Sequence, residues 1–449
     1  MFFLIGWKKL GTALLAAFLF ALSSFAVAQD DAAESAAPHL SPEAEAQYKG
    51  ALEKFNHSDI TGALSDLEQM AAADPKMIPP RLIMAQWFAQ LKNPNAVRLC
   101  LEKAVIETPE DPEAYILLAE NALRQGEWMA AELLLGKAGG LLGVEREWAN
   151  SERKQNLTVT YLKNLTVLNQ AREDWNGMQK SLGALWKLGE KTSETCKLIG
   201  ISYFHLGNPE KAGQWFAQAY NISPKTEFTP DVMMARLYLA EGDREHAQES
   251  LNSALKADPD SPAVLNLSLV TALNNGDMGQ VKGLAQRLYA VNPRDPASLK
   301  TCGTAALYLE DYPKAESLFL EGLRLQPANT EIENGLALAL AEQNDPEKCR
   351  LAVQHAVSNL QKQKNNPEYL ATLGWTLYKS GDTDQALSVL QQTAADGQLH
   401  SQTAYYLADV LNSKGGEEEN VKKLLTAALE GNAPFPKRNA AEKLLKQLK

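Results

Sequence analysis

Apolar residues along this chain recur in the pattern of paired amphipathic helices. In one clear copy, Ala212, Phe216 and Ala219 are separated by four and three positions, which places them on one face of a helix. The sequence Gly207-Asn208-Pro209 precedes this helix and is typical of a turn, because glycine readily adopts the left-handed conformation that ends a helix. A second apolar segment, which contains Gly200, lies before the turn. The pattern therefore predicts a helical hairpin, in which Gly200 lets the two helices approach closely.

The hairpin pattern repeats every 34 or 35 residues from about residue 43 to residue 430. The positions that correspond to Ala212 are Ala247, Val281 and Ala315. A second signal has the same phase, namely helix starts in which a good N-cap residue precedes a proline at the first helical position. These starts are Asp111-Pro112, Ser261-Pro262, Asp295-Pro296 and Asn366-Pro367. Because two unrelated signals agree in phase, we predict an all-α chain of antiparallel helix pairs.

The repeat pattern is weakest after residue 138, where the sequence Gly-Gly-Leu-Leu-Gly interrupts it. We therefore expect two arrays of repeats, at 43–143 and 192–430, separated by an irregular helical segment or degenerate repeat at 144–191. The pattern of apolar residues in the last segment, 431–449, predicts an amphipathic helix that caps the exposed end of the stack.

The N-terminus has the features of a secretory signal. Lysines precede an apolar run at residues 10–22, and Ala26-Val27-Ala28 supplies small residues where signal peptidase would cleave. We expect residues 1–28 to be a signal peptide and residues 29–42, which are acidic and non-periodic, to be a flexible tether. The chain would then be periplasmic or extracellular. The alternative is an uncleaved anchor in the inner membrane, since the apolar stretch is nearly long enough to span a bilayer.

The charge balance argues against nucleic acid as a partner. The net charge is −11, and removal of the two lysines of the signal peptide makes it −13. Such a field repels nucleic acid and anionic lipid surfaces, and no basic run offsets it. We therefore expect membrane attachment only if the N-terminal segment is retained as an anchor.

The sequence predicts no catalytic centre, cofactor or metal site. Its six histidines are scattered, and GxSxG, HExxH and CxxC motifs are absent. The repeats leave no stretch of roughly 100 residues in which a catalytic domain could fold. The cysteines lie at mostly apolar repeat positions, far apart in sequence, which favours buried small hydrophobic residues over a disulfide. They are Cys100, Cys196, Cys302 and Cys349.

On these recurring positions, the chain resembles the tetratricopeptide repeat family over about 390 of its 449 residues. The resemblance implies a right-handed superhelical solenoid of about 10–11 repeats, with a groove lined mainly by the first helix of each repeat. Thr372-Leu373-Gly374-Trp375 and the final helix are similar to exported bacterial members of the family, some of which work in envelope or exopolysaccharide assembly.

The resemblance also implies which residues line the groove. At the corresponding positions, the candidate partner-binding residues are Lys197, Arg236, Asn266, Lys300, Asn334 and Tyr308. Asn266, Lys300 and Asn334 form a row in successive repeats, and an asparagine amide can pair with the backbone of an extended peptide. Lys300 and Arg236 could hold a carboxylate. The alternative is that these are ordinary polar residues on a solvated surface.

We therefore expect a non-enzymatic, exported scaffold that binds partner proteins or extended peptides in its groove. The alternative is an accessory or regulatory subunit of an exopolysaccharide or cell-envelope assembly machine, with direct glycan contact. Aromatic side chains exposed in one groove would favour the alternative, since sugar faces stack on aromatic rings. The candidates for such contact are Tyr308, Trp375 and Tyr378.

Overall fold

The computed structural model describes residues 42–74, 76–148, 151–224, 228–393, 399–430 and 434–448. Within these ranges, the chain consists of helices and the turns that join them, with no strand. The predicted signal peptide and residues 29–41 of the predicted tether lie outside the described residues.

The described residues form eleven consecutive helix pairs and a terminal helix. The helices are α1 (Pro42–Asn56), α2 (Ile60–Ala73), α3 (Pro80–Gln90), α4 (Pro94–Glu107), α5 (Pro112–Gln125), α6 (Trp128–Leu142), α7 (Ser151–Ala171), α8 (Trp175–Lys187), α9 (Ser193–His205), α10 (Pro209–Ile222), α11 (Pro230–Glu241), α12 (Arg244–Ala257), α13 (Pro262–Asn275), α14 (Met278–Val291), α15 (Pro296–Tyr308), α16 (Tyr312–Leu325), α17 (Thr330–Ala341), α18 (Pro346–Lys362), α19 (Pro367–Lys379), α20 (Thr383–Thr393), α21 (Ser401–Lys414), α22 (Glu418–Leu429) and α23 (Arg438–Gln447). The two helices of each pair pack against each other across their turn. The predicted all-α solenoid of helix pairs is confirmed.

Contacts divide the helices into two compact units. The N-terminal unit contains α1–α10 and the C-terminal unit contains α11–α23. The segment predicted to be irregular, 144–191, holds the pair α7 and α8. Helix α7 has 21 residues, longer than any other described helix. The predicted domain boundaries at residues 143 and 191 stay a prediction.

Glycine and phenylalanine set the spacing of the helices. A β-carbon at Gly200 would overlap the ring of Phe216, so the close approach predicted there is present. In the C-terminal unit, the ring of Phe319 lies against Gly303 of its own pair and Gly335 of the next pair. A β-carbon at Gly303 would lie 2.7 Å from Cε1 of Phe319, a ring that is 1% exposed. One buried ring therefore fixes the separation of three helices.

Three of the four predicted N-caps form the expected hydrogen bonds. Asp111 Oδ1 accepts from the backbone N–H of Glu113, and Asp295 and Asn366 cap their helices in the same way. Ser261 differs from the prediction, because its buried hydroxyl makes no capping hydrogen bond. At that helix start, the proline at the first helical position remains as the start signal.

All four cysteines are buried free thiols, as expected for small hydrophobic residues of the core. Among the helices of the described segments, none is both long enough and apolar enough to cross a membrane.

Candidate functional site

The first helices of five successive pairs in the C-terminal unit form one surface. Each first helix contacts the first helix of the next pair, in the order α13, α15, α17, α19 and α21. The second helix of each pair lies between them in the sequence. We call the surface formed by these five first helices the A-helix surface. Side chains at equivalent positions of the five helices are therefore brought into rows across it.

One row consists of the predicted residues Asn266, Lys300 and Asn334 and of two acidic residues, one of which contacts Lys300 and the other Asn334. The ammonium of Lys300 on α15 pairs with the carboxylate of Glu331 on α17. One helix further, Nδ2 of Asn334 donates to Oε1 of Glu368 on α19 at 3.3 Å. We call these five residues the polar row. Its two contacts link α15 to α17 and α17 to α19, while Asn266 lies at the equivalent position of α13.

Two carbonyl oxygens in the polar row have no hydrogen-bond partner within the described chain. They are Oδ1 of Asn266 and Oδ1 of Asn334, and both are buried. An unsatisfied buried acceptor costs about 1–3 kcal/mol, which a hydrogen bond from an incoming N–H group would recover. An asparagine amide can also donate through Nδ2, although that of Asn334 already donates to Glu368, so the row holds groups of the kind that pair with a peptide backbone.

A second cluster on the same surface surrounds Glu342, the C-cap residue that follows α17. Its carboxylate accepts from Nε1 of Trp375 at 2.9 Å and lies 2.8 Å from Nζ of Lys437 and 3.8 Å from Nζ of Lys379. The hydroxyl of Tyr312 lies 2.6 Å from the same Lys437 ammonium. We call these five residues the Glu342 cluster. A carboxylate this deeply buried is stabilised by two ammonium groups and an indole N–H.

Sequence reasoning missed Glu342 and Lys437 as site residues. Glu342 occupies the same repeat position as Tyr308, so mapping that position onto every copy would have found it. Lys437 follows the last repeat, and no periodic signal connects it with Tyr312, which is 125 residues away.

Two other predicted site residues, Lys197 and Arg236, contact side chains outside the polar row. Lys197 belongs to the N-terminal unit, where its ammonium lies 3.3 Å from the Glu194 carboxylate. The guanidinium of Arg236 lies over the ring of Phe228, with 5.6 Å between guanidinium carbon and ring centroid. That Arg236 and Lys300 together bind one carboxylate of a partner stays a prediction.

Tyr308 and Trp375 are packing residues in this conformation. The Tyr308 hydroxyl donates to the backbone carbonyl of Pro434 at 3.4 Å, and burial raises its pKa to about 12. Trp375 is 2% exposed and stacks on Tyr406, with ring centroids 4.2 Å apart. Because the Trp375 ring does not face solvent, it offers no platform for a sugar ring here.

Family comparison agrees with this architecture. Models described as tetratricopeptide repeat match residues 194–226, 232–280, 303–356 and 372–436. The chain is a tetratricopeptide repeat protein. Repeats of this type generally form non-enzymatic surfaces that bind other proteins or peptides. No curated protein matches the sequence.

Several solved structures are similar to this tetratricopeptide repeat protein. A tetratricopeptide repeat protein from Parabacteroides merdae is 14% identical, with a TM-score of 0.44, over 57% of this chain and 98% of that one. A human IFIT1 dimer with PPP-AAAA is 16% identical, with a TM-score of 0.43, over 78% and 84%. Pseudomonas aeruginosa PilF is 17% identical, with a TM-score of 0.34, over 49% and 96%.

In the tetratricopeptide array, Glu368 of the polar row makes stability depend on pH. Burial and the nearby Glu331 carboxylate raise its pKa to about 7, against the opposing effect of Lys300. An unfolded glutamate has a pKa of about 4.3. The folded state therefore binds the extra proton, and this stabilisation is present below about pH 4.3 and is lost as pH rises through about 7.

We expect Glu368→Gln to raise the free energy of unfolding at pH 8 by about 1–3 kcal/mol and to leave it unchanged at pH 4. Glutamine keeps the oxygen that accepts from Asn334 but removes the charge. Urea denaturation at both pH values measures the difference. Glu347→Gln, at a side chain that is 77% exposed, is the control and should show no such gain. Equal effects at the two pH values would contradict the assignment.

Proposed function

We propose that this protein is an exported, non-enzymatic scaffold that binds an extended segment of a partner protein along the A-helix surface. The observation that carries the proposal is the polar row, which crosses successive first helices. Its asparagines hold two unsatisfied carbonyl oxygens below the surface, and the more exposed Lys300 and Glu331 of the same row offer charged groups to a partner. An extended peptide repeats its N–H and C=O groups at regular intervals, so a row of amides suits it.

Affinity capture from an envelope extract tests the binding surface. The purified chain is the bait, beside a variant in which Asn266, Lys300 and Asn334 are changed to alanine. The control variant carries alanine at three exposed polar positions of the second helices α12 and α14, namely Asn252, Lys282 and Gln286. We expect the native chain and the control to capture the same partner and the first variant to lose it. A partner retained by both variants would place the binding surface elsewhere.

Export is supported by the N-terminal sequence, in which a basic start, an apolar run and Ala26-Val27-Ala28 follow one another. We expect the N-terminus of the chain isolated from its cells to be Gln29. Mass spectrometry of the intact chain measures this. A chain that retains residues 1–28 and is recovered with membranes would support the anchored alternative instead.

A further inference from the structure

The C-terminal residues Pro434–Lys437, which we call the tail segment, lie on the A-helix surface of their own unit. The carbonyl of Pro434 accepts from the Tyr308 hydroxyl at the end of α15. The side chain of Pro434 also lies within 3.7 Å of the point where a β-carbon on Gly276, at the end of α13, would be. The tail segment thus reaches helices more than 120 residues away in sequence.

Two side chains anchor the tail segment. Phe435 is 6% exposed and packs against Tyr405 of α21, with ring centroids 6.1 Å apart. Lys437 inserts its ammonium between the Glu342 carboxylate and Tyr312, and lies 4.9 Å from the centroid of the Tyr312 ring. The site therefore combines an aromatic contact with a carboxylate and a cation–π contact for one ammonium group.

The Glu342 carboxylate keeps one counter-charge and one neutral hydrogen-bond donor when Lys437 leaves. The carboxylate still has the Lys379 ammonium at 3.8 Å and the indole N–H of Trp375 at 2.9 Å. Release of the tail segment consequently does not leave the buried carboxylate without a partner, which is the situation that makes breaking a buried ion pair so costly. An ammonium from another chain could take the place of Lys437 with the same contacts.

We infer that the residues of the Glu342 cluster other than Lys437, together with Tyr405, form a binding subsite for partner segments with an aromatic residue two positions before a lysine. The chain fills this subsite with its own Phe435 and Lys437. This rests on the proposed function and names the chemistry of the partner segment. Because the tail segment is tethered, its effective concentration is of the order of millimolar, so a partner binds only if it outcompetes the tail. The contact is therefore autoinhibitory.

A fluorescent peptide with the sequence of residues 432–440, NAPFPKRNA, tests this inference in trans. Fluorescence anisotropy measures its binding to the native full-length chain and to the double variant Phe435→Ala/Lys437→Ala. We expect the double variant to bind the peptide at least tenfold more tightly than the native chain, because the competing tail has lost both anchors. Lys437→Ala alone should give a smaller gain. Lys443→Ala, at an exposed lysine of α23, is the control and should bind like the native chain.

Specificity is tested by one substitution in the protein and one in the peptide. Glu342→Gln in the double-variant background should lose the gain in binding, and so should a peptide in which its lysine is replaced by alanine. A folded double variant that binds no peptide overturns the inference. Loss of cooperative unfolding in both tail variants overturns it as well, since the tail segment would then be a permanent part of the core.

The outcome is separable from that of the proposed function. If affinity capture identifies a partner through the polar row but the peptide does not bind, the scaffold stands and the subsite is refuted. If the peptide binds but no partner is captured from the envelope, the subsite stands and the envelope role fails.

Discussion

Replacing Phe319 by alanine is expected to lower the free energy of unfolding of the C-terminal unit by about 3–5 kcal/mol. The ring is 1% exposed and lies against Gly303 of α15 and Gly335 of α17. Its removal takes away the transfer free energy of the ring and leaves a cavity between three helices, which can collapse only by moving whole helices. Urea denaturation followed by circular dichroism measures the loss.

The same contact predicts a strong coupling between two substitutions. Gly303→Ala alone should cost about 1–3 kcal/mol, because the new β-carbon overlaps the ring. In the Phe319→Ala background this cost should disappear, since the cavity accepts the methyl group. Gly283→Ala is the control, because nothing lies near a β-carbon there, and alanine should stabilise α14 by about 0.5–1 kcal/mol. Additive effects of Gly303→Ala and Phe319→Ala would contradict this packing.

Removal of the Arg153 guanidinium is expected to have a comparable effect in the N-terminal unit. Its Nη2 lies 2.9 Å from the Asp111 carboxylate and 2.6 Å from the Glu113 carboxylate, and all three side chains are largely buried. Arg153→Met keeps the length of the side chain but leaves two carboxylates next to each other, so we expect a loss of about 3–5 kcal/mol at pH 8. Thermal or urea denaturation measures the change.

The loss caused by Arg153→Met should be smaller at pH 5 than at pH 8. Burial raises the pKa of Glu113, and the Arg153 charge opposes this rise. Without Arg153 the folded-state pKa rises further above the unfolded value, so the variant is stabilised by protonation at low pH and loses that stabilisation as pH rises. Arg98→Met, at an exposed pair with Glu102, should cost less than about 1 kcal/mol at either pH. A loss that did not change with pH would argue against buried carboxylates.

The sequence alone predicts those features that depend on local periodicity. The contact of Gly200 with Phe216 and the alignment of Asn266, Lys300 and Asn334 both follow from the repeat register, because equivalent residues of stacked hairpins take equivalent places. The missing cap at Ser261 is harder to predict, since its hydroxyl is buried without a hydrogen-bond partner and this burial depends on tertiary packing.

The tail segment could not be predicted in this way. Repeat periodicity shows which face of a helix is apolar, but it does not specify which distant segment covers that face. Phe435 and Lys437 follow the last repeat, and their contacts with Tyr405, Tyr312 and Glu342 depend on where the chain turns after α22. Such contacts are determined by tertiary packing, which the repeat pattern does not encode.

The four buried thiols can report local opening of the helix pairs that contain them. Cys100 and Cys196 belong to separate helix pairs of the N-terminal unit, and Cys302 and Cys349 belong to separate pairs of the C-terminal unit. Burial raises the pKa of each thiol, which keeps the unreactive protonated form while the pair is closed. A thiol reagent therefore modifies each cysteine at the rate at which its own pair opens, so four sites in one natural chain report the order in which the repeats come apart.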